Sequence, residues 1–265
     1  MTRDSWASGD AYERYIGRWS RPVAAEFVRW LGVPDGREWV DVGCGTGALA
    51  AAILDAASPR RVRGYDLSPD HVAAARERVD DPRAEFAQAD ATHLPDPPHA
   101  CDAAVSGLVL NFVPEPARAV AEMRRVVRPG GVVAAYVWDY AGEMQLIRTF
   151  WDAAVELDPA AAQLDEGRRF PICRPEPLRA LFASAGLGGV DVRAIDIPTR
   201  FRDFDDYWEP FLGGQGPAPG YAVSLDDERR GALRERIRSR LPISPDGGIT
   251  LTARAWAARG TAPPH

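Results

Sequence analysis

The sequence predicts an α/β fold: a doubly wound, mostly parallel sheet with helices on both faces. Three observations carry that expectation. The apolar run Trp39 to Val42 breaks into Gly43, Gly45 and Gly47 and continues into the alanine-rich helix former ALAAAIL, a strand, glycine turn and helix in succession. Strand-like runs at 62–65, 86–89, 101–108 and 132–138 then alternate with stretches of helical periodicity, the order that builds a parallel sheet. The run CDAAVSGL from Cys101 is apolar almost throughout, as suits a strand covered on both faces.

The glycine spacing narrows the ligand. A dinucleotide fingerprint sets its third glycine three residues after the second, whereas Gly47 follows Gly45 by two. Asp41, at the end of the strand, would oppose a pyrophosphate and suit a ligand carrying an ammonium group. The loop therefore expects an amino acid or a nucleoside. The stretch Asp41 to Gly47, DVGCGTG, closely resembles motif I of the class I S-adenosylmethionine-dependent methyltransferases. An ordinary glycine turn in an α/β sheet is the plainer reading of the same residues.

That resemblance covers Trp39 to about Trp138 and carries further expectations. It implies a seven-stranded sheet whose last two strands, VDVRAIDI from Val190 and ITLTARAWAA from Ile249, form an antiparallel pair. One methyltransferase domain is expected over 1–265, with an N-terminal lid or helix at 1–36, a cofactor-binding core at 37–140 and an insertion at 199–248. Gly43, Cys44, Gly45 and Gly47 would hold the methionine end of the cofactor with Asp41. Asp66, closing the second strand about 20 residues on, would accept from the ribose hydroxyls, with Leu67 beside it. The alternative for Asp66 is a solvated helix-entry residue. Asp90 and Ala91 would meet the adenine, although a loop aspartate often bonds its own backbone instead. Ser106 and Asn111, at the end of the fourth strand and in the loop after it, would face the methyl-transfer site, with Ser106 also counted among the cofactor contacts.

Around this core the chain reads in order. Ser20 and Pro22 can start a helix with Ala24, Phe27, Val28 and Leu31 on one face, ended by Gly32. Tyr12 and Tyr15 before it are candidates to close over the cofactor, or they staple the N-terminus to the core. Ser68 and Pro69 make an N-cap and first helical position. His71 and His93 are isolated and read as surface residues, with no metal site. RPGG at 128–131 is a turn into the fifth strand. Trp138 and Tyr140 at that strand's end are substrate-pocket candidates. Residues 159–177 read as irregular. In the insertion, Asp203 caps a helix with the aromatic stripe Phe204, Tyr207, Trp208 and Phe211, GGQGPAPG breaks the chain, and a second helix turns Leu233, Ile237 and Leu241 inward. The stripe is core, or Tyr207 and Trp208 line the acceptor pocket.

Composition bounds the partners. The net charge is −6 and all 32 basic residues are arginine, interspersed with acids, so no basic face expects a nucleic acid. Three scattered cysteines form neither a zinc pair nor a disulfide framework, and no apolar run approaches membrane-spanning length; a cytoplasmic protein is expected. The function implied is methyl transfer from S-adenosylmethionine, leaving S-adenosylhomocysteine, to a small molecule. Such a displacement works largely by alignment, and no general base is legible in the sequence. A non-catalytic S-adenosylmethionine-binding scaffold and a nicotinamide oxidoreductase remain the alternatives, the latter with the wrong glycine spacing. Nothing in the sequence speaks to oligomeric state.

Overall fold

The computed structural model describes residues 13–214 and 216–264. They divide into two compact units, one made of residues up to Trp19, Asp139–Pro171 and Asp196–Arg254, the other of Ser20–Trp138, Ile172–Ile195 and the residues from Ala255. The sheet has seven strands in the order β3-β2-β1-β4-β5-β7-β6. These are β1 (Glu38–Val42), β2 (Arg61–Asp66), β3 (Ala84–Gln88), β4 (Cys101–Gly107), β5 (Val127–Trp138), β6 (Gly188–Phe201) and β7 (Ile249–Thr261). The first five pair in parallel and β5 pairs antiparallel with β7, from Val132↔Thr261 to Trp138↔Ala255. Strand order reverses between β1 and β4, and ligands of open α/β sheets bind at such a switch point, outside the carboxyl ends of the strands.

The second unit carries this switch point. Its helices are α1 (Arg18–Leu31, whose first two residues belong to the other unit), α2 (Ala48–Ala56), α3 (Pro69–Arg78), α4 (Pro116–Val126) and, further on, α7 (Pro175–Ser184). Trp39, Val62, Val105, Met123 and Val133 are buried between sheet and helices, each large apolar side chain contributing roughly 1.5–3 kcal/mol. Two expectations shift here. Helix α1 starts at Arg18, directly after a π-turn over Glu13–Gly17, so Ser20 and Pro22 lie inside it. Pro22 is the fifth residue of the helix, where its missing N–H gives up a bond to the Arg18 carbonyl. RPGG is a loop-out within β5: Cys101 pairs with Val127 and Ala103 with Val132, so the turn residues leave the ladder without ending the strand.

The first unit holds α5 (Gln145–Leu157), α6 (Glu166–Arg169), α8 (Phe204–Trp208), α9 (Pro217–Ser224) and α10 (Asp227–Arg238). The stretch expected to be irregular contains a 3₁₀ turn over Pro159–Gln163 and α6, each capped by an aspartate, Asp158 and Asp165. The glycine-proline stretch also departs from expectation. Gly214 and Gly216 break the chain with positive φ, but PAPG starts α9, because prolines are tolerated where a helix's first N–H groups have no partner. Asp203 caps α8 as expected, accepting from Asp206 N–H. The aromatic stripe is core: Phe211 stacks on Phe150 with centroids 4.6 Å apart and meets Tyr15 edge-on at 5.2 Å. Arg18 ties into this unit through Asp206 at 3.0 Å and through the rings of Trp19 and Phe201.

Candidate cofactor site

Residues 43–47 form the turn because three positive φ values fall on three glycines, at 73°, 51° and 89°. Gly43 N–H and Cys44 N–H both donate to the Tyr65 carbonyl, which pins the loop to the end of β2. A methyl group added at Gly43 would meet Val109 at 2.5 Å, and one at Gly47 would meet Val79 at 2.7 Å. At Gly45 no described residue lies within 4 Å of an added methyl group, so among the described residues this glycine presents bare backbone. Gly47 precedes α2 without a side-chain cap, leaving the helix's first N–H groups available. The Cys44 thiol is buried and its pKa is pushed up by that burial and by Asp41 and Asp66, so it is no nucleophile.

Two acids flank the loop in opposite states. Asp41 is fully buried in β1, between Gly64 and Val105 of the neighbouring strands, and among the described residues neither carboxylate oxygen has a partner at hydrogen-bond distance. Burial, then repulsion from Asp66, pushes its pKa up to about 8, against the opposing effect of the Ala50 backbone N–H. Asp66 ends β2 and accepts from three donors, with acceptor capacity left on Oδ2. Oδ2 accepts from Gly45 N–H at 2.9 Å, and Oδ1 from Ser68 N–H at 2.9 Å and the His71 ring at 3.2 Å. Burial works against the charged form of Asp66, but the bonds from His71, Ser68 and Gly45 outweigh it and lower the pKa. His71 is correspondingly raised, first by that hydrogen bond. His71 is thus not isolated. Helix α3, started by Ser68 and Pro69 as expected, swings it back onto Asp66.

The other expected residues distribute as follows. Leu67 is 66% exposed at the end of β2, an apolar surface beside the loop. Asp90 bonds its own turn, Oδ1 accepting from the Thr92 N–H and hydroxyl at 2.8 Å each; Ala91 lies within that turn. Ser106 is fully buried at the end of β4 with its hydroxyl unpartnered, and the Asn111 amide nitrogen is likewise enclosed without a partner. Between them Leu108 holds a left-handed φ of 62°, strain of the kind that gathers at functional edges. Trp138 is buried with its indole N–H unpartnered. In the first unit, Tyr140 packs on Phe170, Trp208 is buried, and the Tyr207 hydroxyl donates to the Leu146 carbonyl at 2.8 Å. Tyr15 is buried with its hydroxyl unpartnered, and Tyr12 lies outside the described residues. The sequence reading missed His71 and Val109 as neighbours of the loop. The first was signalled only by its place five residues after Asp66.

Fold and loop together define an α/β protein with an open glycine turn and two acids at the carboxyl ends of β1 and β2. The comparisons agree. A methyltransferase domain profile matches residues 40–135. Trans-aconitate 2-methyltransferase of Methylobacterium radiotolerans is 34% identical over 199 residues, covering 72% of this chain and 73% of that protein. The 2-methyl-6-phytyl-1,4-hydroquinone methyltransferase of Synechocystis is 27% identical, covering 80% of this chain and 73% of that protein. The solved structure of Haemonchus contortus phosphoethanolamine N-methyltransferase 2 shares the fold, with a TM-score of 0.61 at 17% identity, over 96% of this chain and 57% of that one. The chain belongs to the class I S-adenosylmethionine-dependent methyltransferases.

The site suits that cofactor on its own terms. An unpartnered buried carboxylate at Asp41 can receive an ammonium, Gly45 leaves the backbone bare for close approach, and Asp66 and Leu67 offer a polar and an apolar surface side by side.

Proposed function

We propose that this methyltransferase modifies a small molecule, with Asp41 and the 43–47 loop holding the amino-acid end of S-adenosylmethionine and Asp66 its ribose. When bound, the cofactor supplies a methyl group on a positively charged sulfur. The chain's residues then have two tasks. Asp41 and Asp66 keep a negative environment around a cationic ligand, which favours S-adenosylmethionine over a dinucleotide. Asp90 and Ala91 are read as the adenine end of the site, and Ser106 and Asn111 as unpartnered polar groups free to orient bound molecules. The observation that carries the reading is the orphaned Asp41 carboxylate behind an open glycine turn.

The relatives named for trans-aconitate and for a hydroquinone support a small acceptor. The 199–248 insertion is assigned a part in acceptor recognition, as the long aromatic segment between the last two strands. A cytoplasmic setting is supported by three free, buried cysteines; among the described residues no helix is long and apolar enough to cross a membrane. The test is turnover: purified protein with S-adenosylmethionine and a panel of hydroquinones, phenols and carboxylic acids should form S-adenosylhomocysteine with at least one acceptor class. Cofactor binding with no release in single turnover across the panel would favour a binding scaffold.

A further inference from the structure

A ribose carries two neighbouring hydroxyls, yet only part of the Asp66 carboxylate is open to them. The group is an ionised acceptor, with two oxygens and about four acceptor positions. Oδ1 accepts from Ser68 N–H at 2.9 Å and from the His71 ring at 3.2 Å, which fills it. Oδ2 accepts from Gly45 N–H at 2.9 Å and, among the described residues, from no other group. A carboxylate has no proton to give, so the hydrogen between Asp66 and His71 sits on the imidazole Nδ1. Nδ1 is therefore the donor whether the ring is neutral or cationic.

The turn of helix that delivers His71 is fixed by its own sequence. Ser68 caps α3 and Pro69 starts it, and Ser68 Oγ accepts from His71 N–H at 3.3 Å, so both donors to Oδ1 come from one helix start. The remaining acceptor position is on the other oxygen, against Gly45. Gly45 is also the loop glycine whose added methyl group would meet no described residue within 4 Å. The vacant acceptor and the bare backbone thus coincide. The charged groups acting on His71 are Asp66 of β2 and Asp70 of its own helix. Its side chain is 40% exposed, so replacing it leaves the core untouched.

We propose that His71 is a positioning residue that sets how the cofactor ribose is read: by holding Oδ1 it leaves Asp66 to accept one ribose hydroxyl, through Oδ2, and not both. The proposal rests on the reading of Asp66 as the ribose acid, and it narrows the expectation from sequence that this acid serves the ribose hydroxyls together. A carboxylate that grips a vicinal diol needs one free position on each oxygen. Here the second position is taken by a charge-assisted bond from within the protein, and the second hydroxyl makes no bond to Asp66.

The experiment is calorimetric titration with S-adenosylhomocysteine and with its 2′-deoxy and 3′-deoxy analogues. Each ligand is measured on the parent, on His71→Ala and His71→Asn, and on the same proteins carrying Asp66→Ala. In the parent, removing one of the hydroxyls should cost roughly 10- to 150-fold in affinity, a loss that disappears in the Asp66→Ala background. The cost of removing the other should be the same with or without Asp66. In His71→Ala both costs should depend on Asp66. His71→Asn, whose amide N–H stands where the ring Nδ1 does, should restore the parent pattern, which a residue that merely supports the fold would not do. A second measurement needs no variant to fold: in the imidazole nitrogen NMR spectrum of the parent, the His71 Nδ1–H signal should persist when S-adenosylhomocysteine saturates the protein. Dependence of both costs on Asp66 in the parent, dependence of only one in His71→Ala, or loss of the Nδ1–H signal on binding would overturn the proposal. Unchanged affinity for S-adenosylhomocysteine in Asp66→Ala alone would remove Asp66 from the ribose and the proposal with it, and that failure shows before any His71 variant is measured.

Discussion

Asp41 offers the sharpest perturbation, because its pKa of about 8 places it between two states at working pH. A carboxyl with that pKa is roughly 90% protonated at pH 7, and an ammonium arriving beside it requires the carboxylate. Binding of S-adenosylhomocysteine at pH 7 should therefore release close to one proton, about 0.9 by the same reasoning. The deprotonation that binding demands costs about 1.4 kcal/mol at pH 7, so affinity should rise roughly tenfold toward pH 8.5. Calorimetry in two buffers of different ionisation enthalpy reads the proton directly. Asp41→Asn should abolish the Asp41-linked proton release and weaken binding at pH 8.5 by roughly 10- to 150-fold, the range of a charge-assisted hydrogen bond. The His71 pKa is raised by its hydrogen bond to Asp66, so the comparison is made with His71→Gln in both backgrounds. The sign for the ligand-free protein is opposite. A carboxyl raised by folding contributes fully below about pH 4, and that contribution is lost as pH climbs through about 8. Parent stability should fall over that window, and the Asn variant should fall less steeply. Identical proton release in parent and Asp41→Asn would refute the assignment.

The two glycines that differ most in surroundings should separate stability from binding. Gly43→Ala adds about 1–3 kcal/mol of overpacking against Val109 to about 1–2 kcal/mol of backbone strain, read in urea unfolding. Gly45→Ala carries the strain alone, and its methyl group enters the open face, so the larger effect should appear in cofactor affinity. Asp66→Ala should weaken S-adenosylhomocysteine by roughly 10- to 150-fold in a folded protein; unchanged affinity removes Asp66 from the site. Tyr207→Phe should cost about 0.5–1.5 kcal/mol of stability through the bond to Leu146 and leave acceptor KM unchanged, whereas a selective KM effect would return Tyr207 to the pocket.

What the sequence showed well is what neighbouring residues decide. The turn at 43–47 needs glycines at left-handed positions, and Ser68, Pro69 and Asp203 fix helix starts by bonds of three residues' reach. The alternation of Ile249, Leu251, Ala253, Ala255 and Ala257 likewise marked the buried face of β7. Where distant packing decides, the pattern misled. Ser20 and Pro22 carry helix-start chemistry, yet the helix runs on from a turn that begins at Glu13. PAPG reads as a breaker, yet Pro217 and Pro219 fall in the first turn of α9. The RPGG turn is real, but it interrupts only the pairing of β5. Glu166 looks like any surface acid in a polar stretch, and its burial depends on Trp151, fifteen residues away. His71 became a partner of Asp66 only once the direction of α3 was known.

The central claim is that the glycine loop with Asp41 and Asp66 takes the amino-acid and ribose parts of one sulfur-containing nucleoside. Calorimetric titration of the purified parent chain with S-adenosylhomocysteine and, in parallel, with NAD tests it most directly. A saturable one-to-one isotherm for S-adenosylhomocysteine and no heat from NAD is the predicted result; tight binding of NAD with none of S-adenosylhomocysteine or S-adenosylmethionine would contradict it.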